Sequence, residues 1–215
     1  FNKIDFENVI IVGHSRGGEA VNIAAKFNTL KHFPENGNIK FNYNFGIKGI
    51  VTLAPTDYRY LRNYNLKNIN YLSVHGSMDS DEESFFGIRQ SNRLSNSESF
   101  SDFNILIEGA NHSQFNSSWG KDDTGFPNEY LVNNRNILPG FYQKKLLTFY
   151  LYNFINFIKN EDKSSFENLI KSVNYTIKNT KSKKIISRSK KGGSKVLHDF
   201  EVDEMSESKE SIIGF

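Results

Sequence analysis

The stretch Val9-Ile10-Ile11-Val12-Gly13-His14-Ser15-Arg16-Gly17-Gly18-Glu19-Ala20 decides the fold of this chain. It begins with an apolar run rich in β-branched residues, passes through a G-x-S-x-G pentapeptide, and ends in residues that favour a helix. The apolar run Val9–Val12 is typical of a strand buried on both faces of a parallel sheet. The stretch therefore predicts a strand, a sharp turn that carries Ser15, and a helix over Arg16–Asn28.

A serine on such a turn is suited to act as a nucleophile. A strained turn projects the Ser15 hydroxyl above the carboxyl edge of the sheet, and we expect Gly13 and Gly17 to allow a close backbone approach and unusual dihedral angles. The helix that follows directs its N-terminus and the backbone N–H of Arg16 towards the place where an attacked carbonyl gains negative charge. The alternative is an ordinary turn between a strand and a helix, because Gly and Ser also build such turns.

Composition restricts the class of protein. The 215 residues fit one domain of ordinary size with an appendage, and 37% apolar residues with a mean hydropathy of −0.54 indicate that part of the chain is solvated. The net charge of +3, from 27 basic and 24 acidic residues, is too balanced to indicate a nucleic-acid partner. The absence of cysteine excludes disulfides, thiolate catalysis and cysteine-bound zinc. No apolar run reaches the ~20 residues that a transmembrane helix needs.

Three further strands are predicted, at Ile47–Leu53, Asn70–His75 and Phe103–Ile107. Helical stretches separate them, which indicates βαβ units and a mostly parallel sheet flanked by helices. Each strand ends in a polar cluster, and open α/β sheets bind their ligands at that edge.

The remaining chain is predicted from its periodicity and its breakers. Phe141–Ile158 has apolar residues at intervals of three and four and predicts the longest helix, and shorter helices are predicted over Phe85–Leu94 and Phe166–Tyr175. Phe33–Phe45 and Ser113–Pro139 are predicted to be irregular.

The polar clusters contain a candidate acid and a candidate base. Asp79 follows the strand Asn70–His75, and His112 follows Phe103–Ile107, so that serine, acid and histidine occur in the chain order that a hydrolase triad needs. Ser15 needs an adjacent base, for which we predict His112, with Asp79 as the group that orients the imidazole. Asp81 is the main rival of Asp79, and Asp57 is a weaker one.

The other histidines have structural interpretations. His14 is expected to point away from the active face and to pack, and His75 is expected to make a structural hydrogen bond. His32 and His198 fall in a loop and in the tail. No cluster of histidines and carboxylates has the spacing of a metal site.

The candidate substrate contacts are aromatic and polar residues near the predicted triad. Phe115, Asn116 and Trp119 come just after His112 and are predicted to line a pocket from one side, with Tyr58 on the other. Plain packing is an equally good interpretation of the aromatic residues. The backbone N–H of Arg16 is the predicted oxyanion donor. A second donor is expected from a loop that precedes the nucleophile elbow, the strand–turn–helix stretch that carries Ser15.

At these motifs the sequence resembles the α/β-hydrolase superfamily. Gly-His-Ser-Arg-Gly-Gly at 13–18 and Gly-Ala-Asn-His at 109–112 resemble serine hydrolases of the chlorophyllase, cutinase-like polyesterase and platelet-activating-factor acetylhydrolase type. Gly-Ala-Asn-His-x-x-Phe-Asn at 109–116, followed by Trp119, is also similar to a motif of large bacterial hydrolases.

The resemblance implies an α/β-hydrolase fold that cleaves carboxylic esters through an acyl-enzyme, without a cofactor or a metal. The substrate would be a small-molecule, lipid or polyester ester. A thioesterase or a peptidase with the same triad, and a non-catalytic binding module, are the alternatives.

The resemblance also suggests a division of the chain. Residues 1–160 would form the C-terminal part of the catalytic domain, whose N-terminal strands are expected to precede this sequence, and residues 161–177 a short helical extension. Residues 178–215 contain eight Lys/Arg between Lys178 and Lys195 and a mostly acidic stretch from Asp199 to Glu210. They are predicted to be a charged linker or the start of a further domain, and a basic arm that binds nucleic acid or an anionic surface is the alternative.

Overall fold

The structure is a computed structural model that describes residues 4–60, 62, 64–82, 84–123 and 137–170, together with the backbone of four strands between 175 and 202. In chain order the strands are β1 (Val9–His14), β2 (His32–Phe33), β3 (Asn36–Lys40), β4 (Ile47–Leu53), β5 (Asn70–Gly76), β6 (Asp102–Ile107), β7 (Tyr175–Ile177), β8 (Thr180–Ser182), β9 (Lys184–Ser189) and β10 (Leu197–Val202). The described helices are α1 (Arg16–Phe27), α2 (Phe86–Ser91), α3 (Gly140–Asn160) and α4 (Lys163–Ile170), and Ser113–Phe115 forms a 3₁₀ turn.

The main sheet has four parallel strands in the order β1-β4-β5-β6, and the antiparallel strands β9 and β10 continue it beside β6. The prediction of a mostly parallel sheet flanked by helices is confirmed. Because the four parallel strands run the same way, the segments that follow them meet at one edge of the sheet.

Helices cover both faces of the sheet. Alternate residues of a strand point to opposite faces, so Val51 and Leu72 join one apolar cluster, while Ile50 and Tyr71 join the other. The first cluster packs against α3 and α4, and the second packs against α1. The central strands β4 and β5 are therefore buried on both sides, which explains why apolar residues occupy adjacent positions in them, such as Ile50 and Val51. In contrast, β1 lies at the end of the strand order and Val12 is 52% exposed, so the expectation that Val9–Val12 is buried on both faces is wrong.

Besides strands β7 to β10, where no strand was predicted, the structure differs from the predicted elements in a hairpin and in the last described helix. Phe33–Phe45, predicted to be irregular, contains the β2–β3 hairpin, because Phe33 and Phe41 pack their rings on Phe27 of α1. The last described helix begins at Lys163, earlier than the predicted Phe166–Tyr175. The Asp162 carboxylate accepts the backbone N–H groups of Ser164 and Ser165 there, which caps the helix.

Several predictions concern residues outside the described part of the chain. Residues 124–136, within the predicted irregular segment, are among these, as are the side chains of the basic and acidic stretches beyond residue 170. The division into a catalytic domain, an extension and a charged linker stays a prediction. Among the described helices, none has both the length and the apolarity needed to cross a membrane.

Candidate active site

Ser15 lies on a strained turn between β1 and α1. Its dihedral angles are φ 57° and ψ −124°, a conformation that L-residues seldom adopt and that costs about 1–3 kcal/mol. Hydrogen bonds hold this conformation, since the Ser15 N–H donates to the Leu53 carbonyl at 2.9 Å and the Ser15 carbonyl accepts the Gly18 N–H at 2.8 Å. The surrounding strand and helix therefore impose the strain on Ser15.

Two glycines allow the turn to close. A Cβ atom at Gly13 would lie 2.0 Å from the Gly17 carbonyl oxygen, and a Cβ atom at Gly18 would lie 2.6 Å from the Pro55 Cβ. A Cβ atom at Gly17 would meet nothing within 4 Å, so the expectation that a close backbone approach requires glycine at 17 is wrong, and neither Gly13 nor Gly17 has a positive φ. The turn needs glycine at 13 and 18, because backbone and proline atoms lie there.

The predicted acid and base lie in contact. His112 Nδ1 is 2.9 Å from Asp79 Oδ2, and both side chains are 2% exposed. The other carboxylate oxygen of Asp79 accepts the backbone N–H groups of Asp81 and Glu82, at 3.1 and 2.7 Å. When Nδ1 carries the proton and donates it to Asp79, Nε2 is left as the acceptor, which is the tautomer that a general base needs.

The electrostatics of this pair favour an imidazole that can hold a proton. Burial lowers the pKa of His112, but the hydrogen bond and the charge of Asp79 outweigh it and, with the charges of Asp81 and Asp123, hold this pKa above its usual value of 6.5. Burial raises the pKa of Asp79, and the bond to His112 opposes that rise. The pair is therefore shielded from water, and each of the two groups affects the pKa of the other.

The rivals of Asp79 have other partners. The imidazole of His112 is hydrogen-bonded to the side chain of Asp79, whereas Asp81 donates its backbone N–H to that same side chain. The Asp57 Oδ1 accepts the Tyr64 hydroxyl and Arg93 Nη1, each at 2.6 Å, and Arg89 Nε lies 2.8 Å from the Asp57 Oδ2. Asp57 is thus engaged in fixing α2 to the loop after β4.

His14 lies against the candidate base. Its ring centroid is 4.7 Å from that of His112 and 4.6 Å from that of Trp119, and the His112 and Trp119 centroids are 5.9 Å apart, so the three rings pack against one another. The expectation that His14 points away from the active face is wrong. Strand alternation gives the face on which a side chain lies, but it does not show which loop covers that face. Burial and the charge of His112 lower the pKa of His14 to about 4, which keeps the ring neutral at pH 7.

The predicted substrate contacts fall into two groups. Phe115 is 7% exposed and contacts His14 edge-on at 6.3 Å, while Trp119 is 50% exposed and stacks on it. The Asn116 side chain accepts the Ser118 N–H at 2.7 Å and so forms a local turn. Tyr58, 37% exposed, lies apart from this group and donates its hydroxyl to Glu82 at 3.3 Å.

The predicted oxyanion donor directly follows Ser15 in the chain. The backbone N–H of Arg16, at the start of α1, has no hydrogen-bond partner within the described residues, as an oxyanion donor requires. The prediction that His75 is a structural hydrogen-bonder is confirmed, since its Nε2 accepts the Gly87 N–H at 3.2 Å and the ring is 2% exposed. In the part of the chain that the structure describes, no hydrogen bond joins Ser15 to His112, and no three His, Cys, Asp or Glu residues form a metal-binding group.

Three buried carboxylates near this edge of the sheet were not predicted from the sequence. Glu82 is 7% exposed, and burial and the charge of Asp79 raise its pKa to about 7. Glu19 of α1 accepts the Thr56 hydroxyl at 2.6 Å and the N–H groups of Arg59 and Tyr60, at 3.0 and 2.9 Å. Asp123 accepts three backbone N–H groups and one side-chain amide. Their donors are mostly backbone N–H groups, which have no signature in the sequence.

The sequence was also compared with known proteins. No protein-family model matches the chain, and no curated protein matches it.

Proposed function

We propose that this chain is a serine hydrolase with an α/β-hydrolase fold, and that it cleaves a carboxylic ester through an acyl-enzyme. The observation that carries the proposal is the 2.9 Å contact between His112 and Asp79, which follow two strands of the sheet that carries the strained Ser15 at its edge. The resemblance of the elbow and the histidine motif to serine hydrolases supports the ester as the substrate class.

In the proposed reaction, Ser15 Oγ attacks the ester carbonyl carbon while His112 Nε2 accepts the hydroxyl proton. Negative charge develops on the carbonyl oxygen, and the N–H of Arg16 donates to it at the positive end of α1. His112 then returns the proton to the leaving alcohol. A water molecule, activated by the same imidazole, attacks the acyl-enzyme and releases the acid and Ser15.

Asp79 has two roles in this scheme. Its hydrogen bond holds the imidazole in the tautomer with Nε2 free, and its charge stabilises the imidazolium that forms when Ser15 is deprotonated. The lack of a Ser15–His112 hydrogen bond is compatible with the scheme, because catalytic hydrogen bonds are often long until substrate binds.

Labelling with a fluorophosphonate probe tests the proposal directly, because the probe reacts with activated serines. We expect peptide mapping of the labelled chain to find the adduct on Ser15. His112→Ala should abolish labelling, whereas Ser118→Ala, which removes an exposed serine near the site, should leave it unchanged. A folded protein that is not labelled at Ser15 would reject the hydrolase and favour a binding module.

Ester turnover provides the second arm of the test. Ser15→Ala is expected to abolish hydrolysis of p-nitrophenyl esters without changing the circular dichroism spectrum. Hydrolysis that persists in Ser15→Ala would remove Ser15 from the mechanism. A labelled enzyme that cleaves thioesters or amides and leaves esters intact would keep the triad and reassign the substrate.

A further inference from the structure

The side chain of Asp123 bonds to both loops that carry the candidate acid and base. Its Oδ2 accepts the backbone N–H of Ser80, next to Asp79, and the backbone N–H of His112, each at 3.0 Å. Its Oδ1 accepts the Ser113 N–H at 2.7 Å and the Asn111 side-chain amide at 2.8 Å. One carboxylate oxygen therefore joins the two loops directly.

A carboxylate suits this position because every group that it contacts is a donor. Four N–H groups converge on two oxygens, and Asp123 is 7% exposed, so water cannot easily replace them. No Lys or Arg within the described ranges forms an ion pair with Asp123. The hydrogen bonds themselves compensate the buried charge, as at other sites where backbone N–H groups surround an anion.

We propose that Asp123 is a positioning residue that fixes the distance between Asp79 and His112. The catalytic consequence rests on the proposed function, whereas the effect on the geometry of the pair does not. Asp79 and His112 come from different loops, and their side-chain contact depends on how those loops are held. A displacement of about 1 Å in a catalytic group can lower a rate about 10²-fold, so a residue that fixes this distance affects turnover without touching substrate.

Asp123→Asn tests the proposal with almost no change in volume. The variant replaces one acceptor oxygen by an NH₂ group, which would face two N–H donors and repel them. Asp122→Asn is the matched control, because it removes the same charge at the adjacent, exposed position. Both variants should be made in the full chain.

The first readout is the proton that His112 Nδ1 shares with Asp79, which proton NMR detects far downfield. We expect this signal in the wild type and in Asp122→Asn, and we expect Asp123→Asn to lose or shift it. The signal does not depend on turnover. Its loss in an Asp123→Asn protein whose wild type is inactive would support the positioning role and reject the hydrolase, and an unchanged signal would overturn the positioning role.

The second readout is steady-state kinetics on the ester that the wild type cleaves best. Asp123→Asn is expected to lower kcat about 100-fold while KM changes less than about twofold, because positioning acts on the chemical step. An unchanged kcat would overturn the proposal. If Asp123→Asn does not fold, Asp123→Glu decides: it keeps the charge but moves the oxygens outward, so a shifted NMR signal with a lower kcat supports the proposal, and wild-type behaviour rejects it.

Discussion

The two nitrogens of His112 have different surroundings, and this difference gives the site its direction. Nδ1 is tied to Asp79, while Nε2 is left to accept a proton. Five charged or titratable neighbours also bear on the ring: Asp81, Glu82, Asp123, His14 and His75. The three carboxylates favour the imidazolium when they are ionised, and burial opposes it. Single substitutions should therefore identify which of Asp79 and Asp81 is the acid, and they should also shift the pH dependence of activity.

Asp79→Asn should cost far more activity than Asp81→Asn. An amide at 79 can present its NH₂ group to His112 and select the wrong tautomer, which lowers kcat by about 10⁴-fold where such a triad operates. Asp81 contributes charge and a backbone N–H but not the side-chain bond to His112. Ester hydrolysis on the high-pH plateau of the wild-type profile measures both variants. A larger loss in Asp81→Asn would reassign the acid.

The pH profile of kcat/KM should rise through a midpoint above 6.5, because His112 must be neutral to accept the proton and its pKa lies above that value. Removing the charge of Asp81 should lower the pKa of His112, so in Asp81→Asn the midpoint should move to lower pH while the plateau at high pH stays. Initial rates from pH 5 to 9 measure this shift. A midpoint that moves to higher pH in Asp81→Asn would contradict the sign of the interaction.

At the scale of elements, the sharp passage from β1 to α1 is the most demanding piece of backbone in the site. The Gly17 carbonyl lies where a side chain at Gly13 would begin, and Gly18 packs on Pro55 after β4. Glu19, in the first turn of α1, holds the loop after β4 through Thr56 and Arg59. One short segment thus shapes the turn and also anchors the neighbouring loop.

Gly13→Ala and Gly17→Ala form a matched pair that tests this packing. Gly13→Ala would place a methyl group 2.0 Å from a backbone oxygen, so we expect it to lower the free energy of unfolding by about 3 kcal/mol or more. Gly17→Ala meets no atom within 4 Å and replaces Gly by a better helix former, so we expect a change within about 1 kcal/mol. Urea denaturation of both variants is the measurement. Equal free energies of unfolding for the two variants would show that the turn has room for a Cβ atom at position 13.

At the scale of the whole molecule, Phe103 joins the sheet to its helical layer. This fully buried residue of β6 lies edge-on to Phe154 and Phe157 of α3 and to Phe166 of α4, with centroid distances of 6.3, 6.1 and 5.8 Å. Its contacts connect three elements that are distant in the chain. The stability of the molecule should depend on it more than on any exposed ring.

Phe103→Ala is expected to lower the free energy of unfolding by about 3–5 kcal/mol, because the truncation leaves a cavity between the sheet and two helices. Phe141→Ala, at a ring that is 70% exposed at the start of α3, should change it by less than about 1 kcal/mol. Thermal and urea unfolding of the two variants check this difference. A small loss in Phe103→Ala would mean that the two layers are held together elsewhere.

The sheet and the candidate pair could be predicted because both have local signals. Val9–Val12 is a continuous apolar run, Ile47–Leu53 has four apolar residues in seven, and the motif Gly109 to His112 follows a third strand. In contrast, the contact between the His14 and His112 rings depends on how the chain folds over the sheet edge. The bonds of Asp123 to backbone N–H groups likewise leave no pattern of residue types, so tertiary contacts alone reveal them.

The hydrogen bonds to Asp123 also affect how freely the sequence can vary around the site. Backbone N–H groups supply three of the four donors, and every residue type except proline has one. A proline at position 80 or 113 would remove a donor, whereas every other residue type there keeps the backbone N–H. Position 123 itself needs a carboxylate, so a library that randomises the two loops should keep Asp123 constant.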